Sequence, residues 1–331
     1  MDVVVLGYYS SINKSNLCML KGLPYFMFVK KVYLPVLYPH LEKSILAKEN
    51  VKEIYPFNLL NLFKLFQVLF KSEKILFLFG DSLTGVYGIF SRIFVFFHFL
   101  LILFFGKKSV VLPSTILPSK FGISLLKFFL KKVSKIYVRE KEVLEKVRKI
   151  NKETSHSNDL SILYLKRVAK RLFHEKKQNV VALITSNISP KFMGLDRKNF
   201  VVTISKELAI FLENNPNYKI ALIPIQFGVR TMNDDRLILN EIYNMISEKH
   251  RKKIILIKKL LTLNEILRLI RRSKVLISTR LHPCIFAHVL NTRFIALSEN
   301  LKIISFAKNN KGLVVRKNEL NKLSNYLGLV L

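Results

Sequence analysis

The chain has 331 residues, half of them hydrophobic, which is a globular composition and more than one ordinary core accommodates, so about two domains are expected. Fifty-five Lys and Arg against 22 Asp and Glu leave a formal charge of +33, which favours polyanions, anionic lipid headgroups or phosphorylated substrates. The basic residues are spread through nearly every segment, with no Cys/His finger spacing, no aromatic RNA-binding signature and no basic zipper. No specific nucleic-acid partner is therefore expected, and a compositional bias toward Lys, Ile, Asn and Phe explains the charge equally well. The two cysteines, Cys18 and Cys284, fit no metal or redox spacing and read as reduced thiols.

Residues 3–6 predict a short buried strand, with the turn leaving its C-terminal end at 7–13, where open α/β sheets bind ligands. A second short strand is expected at 51–55, an amphipathic helix at 58–70 and a strand at 74–79 ending at Gly80-Asp81-Ser82. Residues 93–105 are apolar apart from His98 and fall short of the ~20 residues that a membrane span requires. They predict a buried or interfacial helix, whose Lys-rich surroundings would let it rest on an anionic leaflet. With no basic leader evident after Met1, the expected location is cytoplasmic, at most peripheral to the inner face of the membrane.

A strand at 109–112 is expected to stop at Pro113, followed by a helix near 123–130, a strand at 135–138 and a charged helix at 140–149. The basic stretch 166–177 marks the expected interdomain connection, giving domains 1–165 and 178–331. The alternation then restarts. Strands are expected at 180–184, 218–223, 253–257, 274–278 and 294–297, with helices at 199–214, 234–247, 263–271 and 283–290 between them. The fold class is α/β, with two Rossmann-like domains facing a cleft, as in the glycosyltransferase-B architecture.

The stretch richest in chemistry is Thr279-Arg280-Leu281-His282-Pro283, a strand end running into a helix start. The planar fork of Arg280 suits a carboxylate or phosphate, and His282 sits where free helix N–H groups favour an anion. His is also the side chain best able to exchange a proton near neutral pH. An anion clamp beside a proton donor is what chemistry on phosphoenolpyruvate requires; from spacing alone, the tripeptide also reads as a structural arginine and a helix-capping histidine. Asp81 suits a sugar hydroxyl or an ordinary turn, and Arg139 a ligand or an ion pair. Lys302 suits phosphate or plain solvation, Asp159 a helix cap, and His288 a core or domain contact.

The block from Leu263 through Arg280-Leu281-His282 to Leu290 resembles the C-terminal signature of polysaccharide pyruvyl transferases, and residues 294–297 followed by Lys302 fit the same pattern. Upstream, Leu112-Pro113-Ser114-Thr115-Ile116, Tyr137-Val138-Arg139-Glu140 and Gly7-Tyr8-Tyr9-Ser10-Ser11-Ile12-Asn13 resemble further segments of that family. The opening departs from the family after Asn13. Phe79-Gly80-Asp81 replaces a Gly-rich run, and Ile184-Thr185-Ser186 stands where some members carry an arginine.

The resemblance implies transfer of pyruvate from phosphoenolpyruvate, as a ketal, to a sugar of a surface polysaccharide or its lipid-linked precursor. No metal or further cofactor is required by that chemistry. It implies His282 as the catalytic proton carrier and Arg280 as the residue that binds the donor; Lys302, Asn13, Asp81 and Arg139 are further substrate-binding candidates from their places in the sequence. The alternatives are a nucleotide-sugar glycosyltransferase of the same architecture, or a non-catalytic basic protein that binds membrane or nucleic acid.

Overall fold

The structure, a computed structural model, describes residues 1–7, 13–78, 88–114, 116, 123–228 and 234–331, with backbone alone at 88–95, 99 and 123–126. The chain divides into two compact units, Met1–Ser11 with Met19–Leu163, and Ile12–Cys18 with Tyr164–Leu331. Each unit is a parallel α/β layer, so the chain has two Rossmann-like domains.

The strands of the first unit are β1 (Asp2–Leu6), β2 (Lys31–Val36), β3 (Ile54–Asn58), β4 (Lys74–Phe77), β5 (Ser109–Ser114), β6 (Lys135–Val138) and β7 (Thr154–His156). They form a seven-stranded sheet in the order β3-β2-β1-β4-β5-β6-β7. Every pairing is parallel, which explains the near-continuous apolar runs, since such strands are buried on both faces. One face packs Val4, Leu6, Phe77, Val111 and Ile136 against the helices Leu62–Lys71, Gly88–Phe105, Ile123–Lys132 and Lys141–Arg148. The other packs Val3, Val5, Leu34 and Leu112 against the helix Lys14–Phe26.

The second unit contains β8 (Gln178–Ile184), β9 (Lys219–Leu222), β10 (Ile254–Leu256), β11 (Ser273–Ser278), β12 (Arg293–Leu297) and β13 (Leu313–Val315). Their order is β10-β9-β8-β11-β12-β13, again parallel throughout. The order reverses between β8 and β11, and that switch point is where open α/β sheets place ligands, beyond the carboxyl ends of the strands.

Several local expectations change. β5 does not stop at Pro113; it runs on to Ser114, because its register against β6 shifts between Val111 and Ser114. Pro is tolerated at such an irregularity, where no ladder N–H is needed. The basic stretch after Lys166 is largely helix, Leu160–Leu172, with Ala169 and Leu172 buried. The apolar helix begins earlier than expected and spans 18 residues, Gly88–Phe105, or about 27 Å. Its Leu101, Ile102 and Phe105 are buried in the core, and among the described residues no helix is long and apolar enough to cross a membrane.

Candidate functional site

β11 ends at Ser278, and the chain turns through Thr279 and Arg280 into the helix Leu281–Val289, for which Arg280 is the residue just before the first turn. Ser278 fixes that turn: its Oγ accepts from the Arg280 N–H at 3.0 Å and donates to the Arg280 carbonyl at 3.2 Å. Pro283 fits the first turn because its missing N–H would have no partner there. The Arg280 side chain is thereby launched beside the helix start, at the switch point of the second sheet.

Two acceptors hold its guanidinium. Nη1 donates to Gln226 Oε1 at 2.9 Å, and Nη2 donates to Asp235 Oδ1 at 2.5 Å. Asp235 has no solvent exposure, whereas the Arg280 side chain retains 17%. The second Asp235 oxygen accepts from the backbone N–H groups of Ile225 (3.2 Å) and Gln226 (2.9 Å). Burial pushes the Asp235 carboxyl up to about 6; the Arg280 charge and those two amides pull downward without cancelling it. On Arg280, Nε is buried and has no hydrogen-bond partner among the described residues.

Asn13 joins the same network from the far end of the sequence. Its Nδ2 donates to Gln226 Oε1 at 3.2 Å, and its Oδ1 accepts from the Ser15 N–H at 2.9 Å, at the start of the helix Lys14–Phe26. The Lys14 N–H donates to the Ile225 carbonyl at 3.0 Å. Gln226 thus carries one carbonyl oxygen shared by two residues that the motif reading singled out separately.

On the β8 side of the switch point lies a cluster of hydroxyls. Ser189 Oγ is 2.8 Å from Ser186 Oγ and 2.6 Å from Thr279 Oγ1, which donates to Thr185 Oγ1 at 3.1 Å. These neutral groups occupy the strand end where some members of the resembled family carry an arginine.

His282 is half-buried in the first turn of the helix, its ring centroid 6.4 Å from that of Phe286. Two residues on, Cys284 is fully buried, and burial pushes its thiol up to about 12, which makes it a poor nucleophile. Lys302 is half-buried at the start of the helix Leu301–Asn309, where its backbone N–H donates to Asn300 Oδ1 at 3.0 Å.

Arg139 lies in the first unit, beyond the end of β6, and is committed to a buried ion pair with Asp159 at 2.7 Å. Asp159 also accepts from Ser161, through N–H at 2.9 Å and Oγ at 2.6 Å. His288 packs edge-on against Phe306, 6.0 Å between centroids, and burial lowers its pKa. Asp81 lies outside the described residues. Among the described residues, no group of three His, Cys, Asp or Glu side chains is placed to hold a metal ion.

Arg280 and Asn13 are therefore brought together within the second unit, and Arg139 lies in the first, paired with Asp159. Motif reading missed Gln226 and Asp235. The available signal was a carboxylate in the first turn of a helix following a parallel strand, but Asp234, one residue earlier, is the actual cap, accepting from the Arg236 N–H at 3.0 Å.

The whole chain resembles several solved structures in fold. Methanocaldococcus jannaschii UDP-GlcNAc 2-epimerase, in complex with UDP-GlcNAc and UDP, superposes with a TM-score of 0.65 at 13% identity, covering 100% of this chain and 93% of that one. The Neisseria meningitidis UDP-GlcNAc 2-epimerase bound to UDP-GlcNAc gives 0.60 at 11% identity, covering 100% and 91%. The Anabaena protein HepE in complex with UDP-glucose gives 0.55 at 12%, covering 99% and 89%. At such identities the likeness concerns the fold alone. No curated protein matches the chain. The family model of polysaccharide pyruvyl transferase matches residues 29–300, a span that takes in most of both sheets and the Arg280-Leu281-His282 turn. With that match across most of its length, the chain belongs to the polysaccharide pyruvyl transferase family.

Proposed function

We propose that the protein transfers pyruvate from phosphoenolpyruvate to two hydroxyls of one sugar, forming a ketal on a surface polysaccharide or its lipid-linked precursor. The observation that carries this reading is the placement of Arg280, in a chain of this family, at the switch point of the second sheet. There it stands beside a helix start, with Nε unmatched among the described residues.

Arg280 binds the donor carboxylate or phosphate, and Asp235 and Gln226 hold the guanidinium plane in place for it. The sugar hydroxyl adds to C2 of the enol phosphate while C3 gains a proton and becomes the methyl group. His282 carries that proton, taking it from the hydroxyl or delivering it to C3. A second hydroxyl then attacks C2, phosphate leaves with the bonding pair, and the remaining hydroxyl proton departs, so atoms and charge balance. Phosphoenolpyruvate is a cytosolic metabolite, and this reading places the reaction in the cytoplasm.

Calorimetry with phosphoenolpyruvate against a panel of UDP-sugars, at moderate salt to suppress nonspecific anion uptake, tests the donor. Saturable phosphoenolpyruvate binding is expected, weakened about tenfold or more in Arg280→Ala, which corresponds to losing one charge-assisted contact. His282→Ala is expected to keep donor binding and lose turnover. Binding of a UDP-sugar in place of phosphoenolpyruvate would move the chain to nucleotide-sugar chemistry.

A further inference from the structure

The helices Leu62–Lys71, Gly88–Phe105 and Ile123–Lys132 share one face of the first sheet, burying Leu65, Leu69, Ile102, Phe105, Phe129 and Leu130 in a common core. Their outward faces should then be polar. They are not. On the first helix Phe63 is 83% exposed and Phe70 67%, with Phe66 also exposed at the intervening turn. On the second, Phe104 is 78% exposed, with Phe97, Leu100 and Leu103 exposed along the same side. Phe128 continues the surface on the third, half exposed. The first two helices touch through Phe70 and Phe105, whose rings meet edge-on at 5.2 Å, and the second and third pack on each other. The exposed side chains are therefore neighbours on one face. Single exposed apolar residues are ordinary, but a continuous aromatic face of this kind marks an interaction surface.

The rim decides what it takes. Lys64, Lys71, Lys107, Lys127, Lys131 and Lys132 are all exposed around it, and none of the three helices carries an acidic residue. A second copy would bring the same lysines, and a net charge of +33, against this one, which opposes self-association. An anionic lipid surface matches both halves of the patch: phenyl rings enter the boundary between headgroups and acyl chains while lysines meet phosphates. We propose that this face docks the first unit on an anionic bilayer as a peripheral contact. It stands on the first unit alone and does not depend on the reaction proposed for Arg280.

The chain contains no tryptophan, so one introduced indole reports its own surroundings. Phe104→Trp is expected to shift its emission to the blue, and to be quenched by brominated acyl chains, with vesicles of phosphatidylcholine containing phosphatidylglycerol. Met245→Trp, at an exposed position of the second unit, is expected to do neither. In sedimentation with the same vesicles, Phe63→Ser with Phe104→Ser should weaken binding by about tenfold or more, as loss of two buried aromatic side chains implies. Both positions face solvent, so thermal unfolding of the variant should match the parent. Lys64→Gln with Lys131→Gln should weaken binding to anionic vesicles and leave the weaker binding to pure phosphatidylcholine unchanged. The proposal falls if the parent does not bind vesicles, or if binding disappears at high salt and ignores the Phe substitutions. It falls equally if sedimentation equilibrium shows a dimer that Phe63→Ser abolishes.

Discussion

Asp235 is a carboxylate without solvent contact, and its charge state sets the field that Arg280 experiences. Because burial lifts it from 3.8 to about 6, the fold favours its protonated form. The stability it contributes is complete below about 3.8 and is lost as pH rises through about 6, a change of roughly 3 kcal/mol. The unfolding free energy of the parent, measured against Asp235→Asn, should therefore fall between about pH 4 and about pH 7. A difference that rises instead would mean that Arg280 holds the carboxyl below its ordinary value. If the donor is phosphoenolpyruvate, as proposed, Asp235→Asn should also weaken its binding, since it loosens the hold on the guanidinium plane. Lys177 titrates with the other sign. Burial and the charges of Arg271 and Lys274 lower it to about 7, while its Nζ donates to the Ser273 carbonyl at 2.7 Å and Thr292 Oγ1 at 2.6 Å. What it contributes is complete above about 10.5 and lost as pH falls through about 7, so Lys177→Met should flatten stability across that alkaline window.

Elements are where sequence patterns spoke most clearly, and particular residues explain the exceptions. The parallel strands β1, β6, β8 and β11 stand out because burial on both faces makes them continuous apolar runs between helices. β2 escaped notice because Lys31 opens it and Pro35 lies inside it, beyond the residues that pair with β1. The short β7 and β13 carry too few residues for any period to emerge. Gln226 and Asp235 could not be read as site residues, because what selects them is a fold contact with Arg280, 54 and 45 residues away.

One helix offers a direct check on packing. Gly22 lies within Lys14–Phe26, where Ala should gain about 1 kcal/mol of helix propensity. A Cβ there would overlap the Leu160 carbonyl, which is backbone and cannot swing aside. Gly22→Ala should therefore destabilise the protein by about 2 kcal/mol, seen as a lower denaturant midpoint at unchanged slope. At the Thr262 capping box the balance is simpler. Glu265 N–H donates to Thr262 Oγ1 at 3.2 Å and Thr262 N–H to Glu265 Oε2 at 2.6 Å, so Thr262→Ala should cost about 1 kcal/mol.

For the molecule as a whole, a charge of +33 makes every lysine a source of mutual repulsion in the compact state. Added salt shortens the Debye length from about 30 Å at 0.01 M to about 8 Å at physiological strength, so the thermal midpoint should rise with ionic strength over that range. Division of the chain into two α/β units was legible from the restart of the strand–helix alternation after residue 177. The segment Ile12–Cys18 was not, because it leaves the N-terminal unit to take its place in the C-terminal one. Asn13 reaches Gln226 across 213 residues of sequence. A ribosome therefore releases one piece of the C-terminal unit long before the rest of it exists. A gene cut near residue 163, where the chain looks divisible, would separate that unit from its own first helical turn and leave Gln226 without Asn13. Breaking the chain inside the helix Lys14–Phe26 would sever the other join. The two halves are thus tied by order of synthesis as well as by covalent linkage, and exchanging either half for that of a relative would have to carry this short segment along with the distant half.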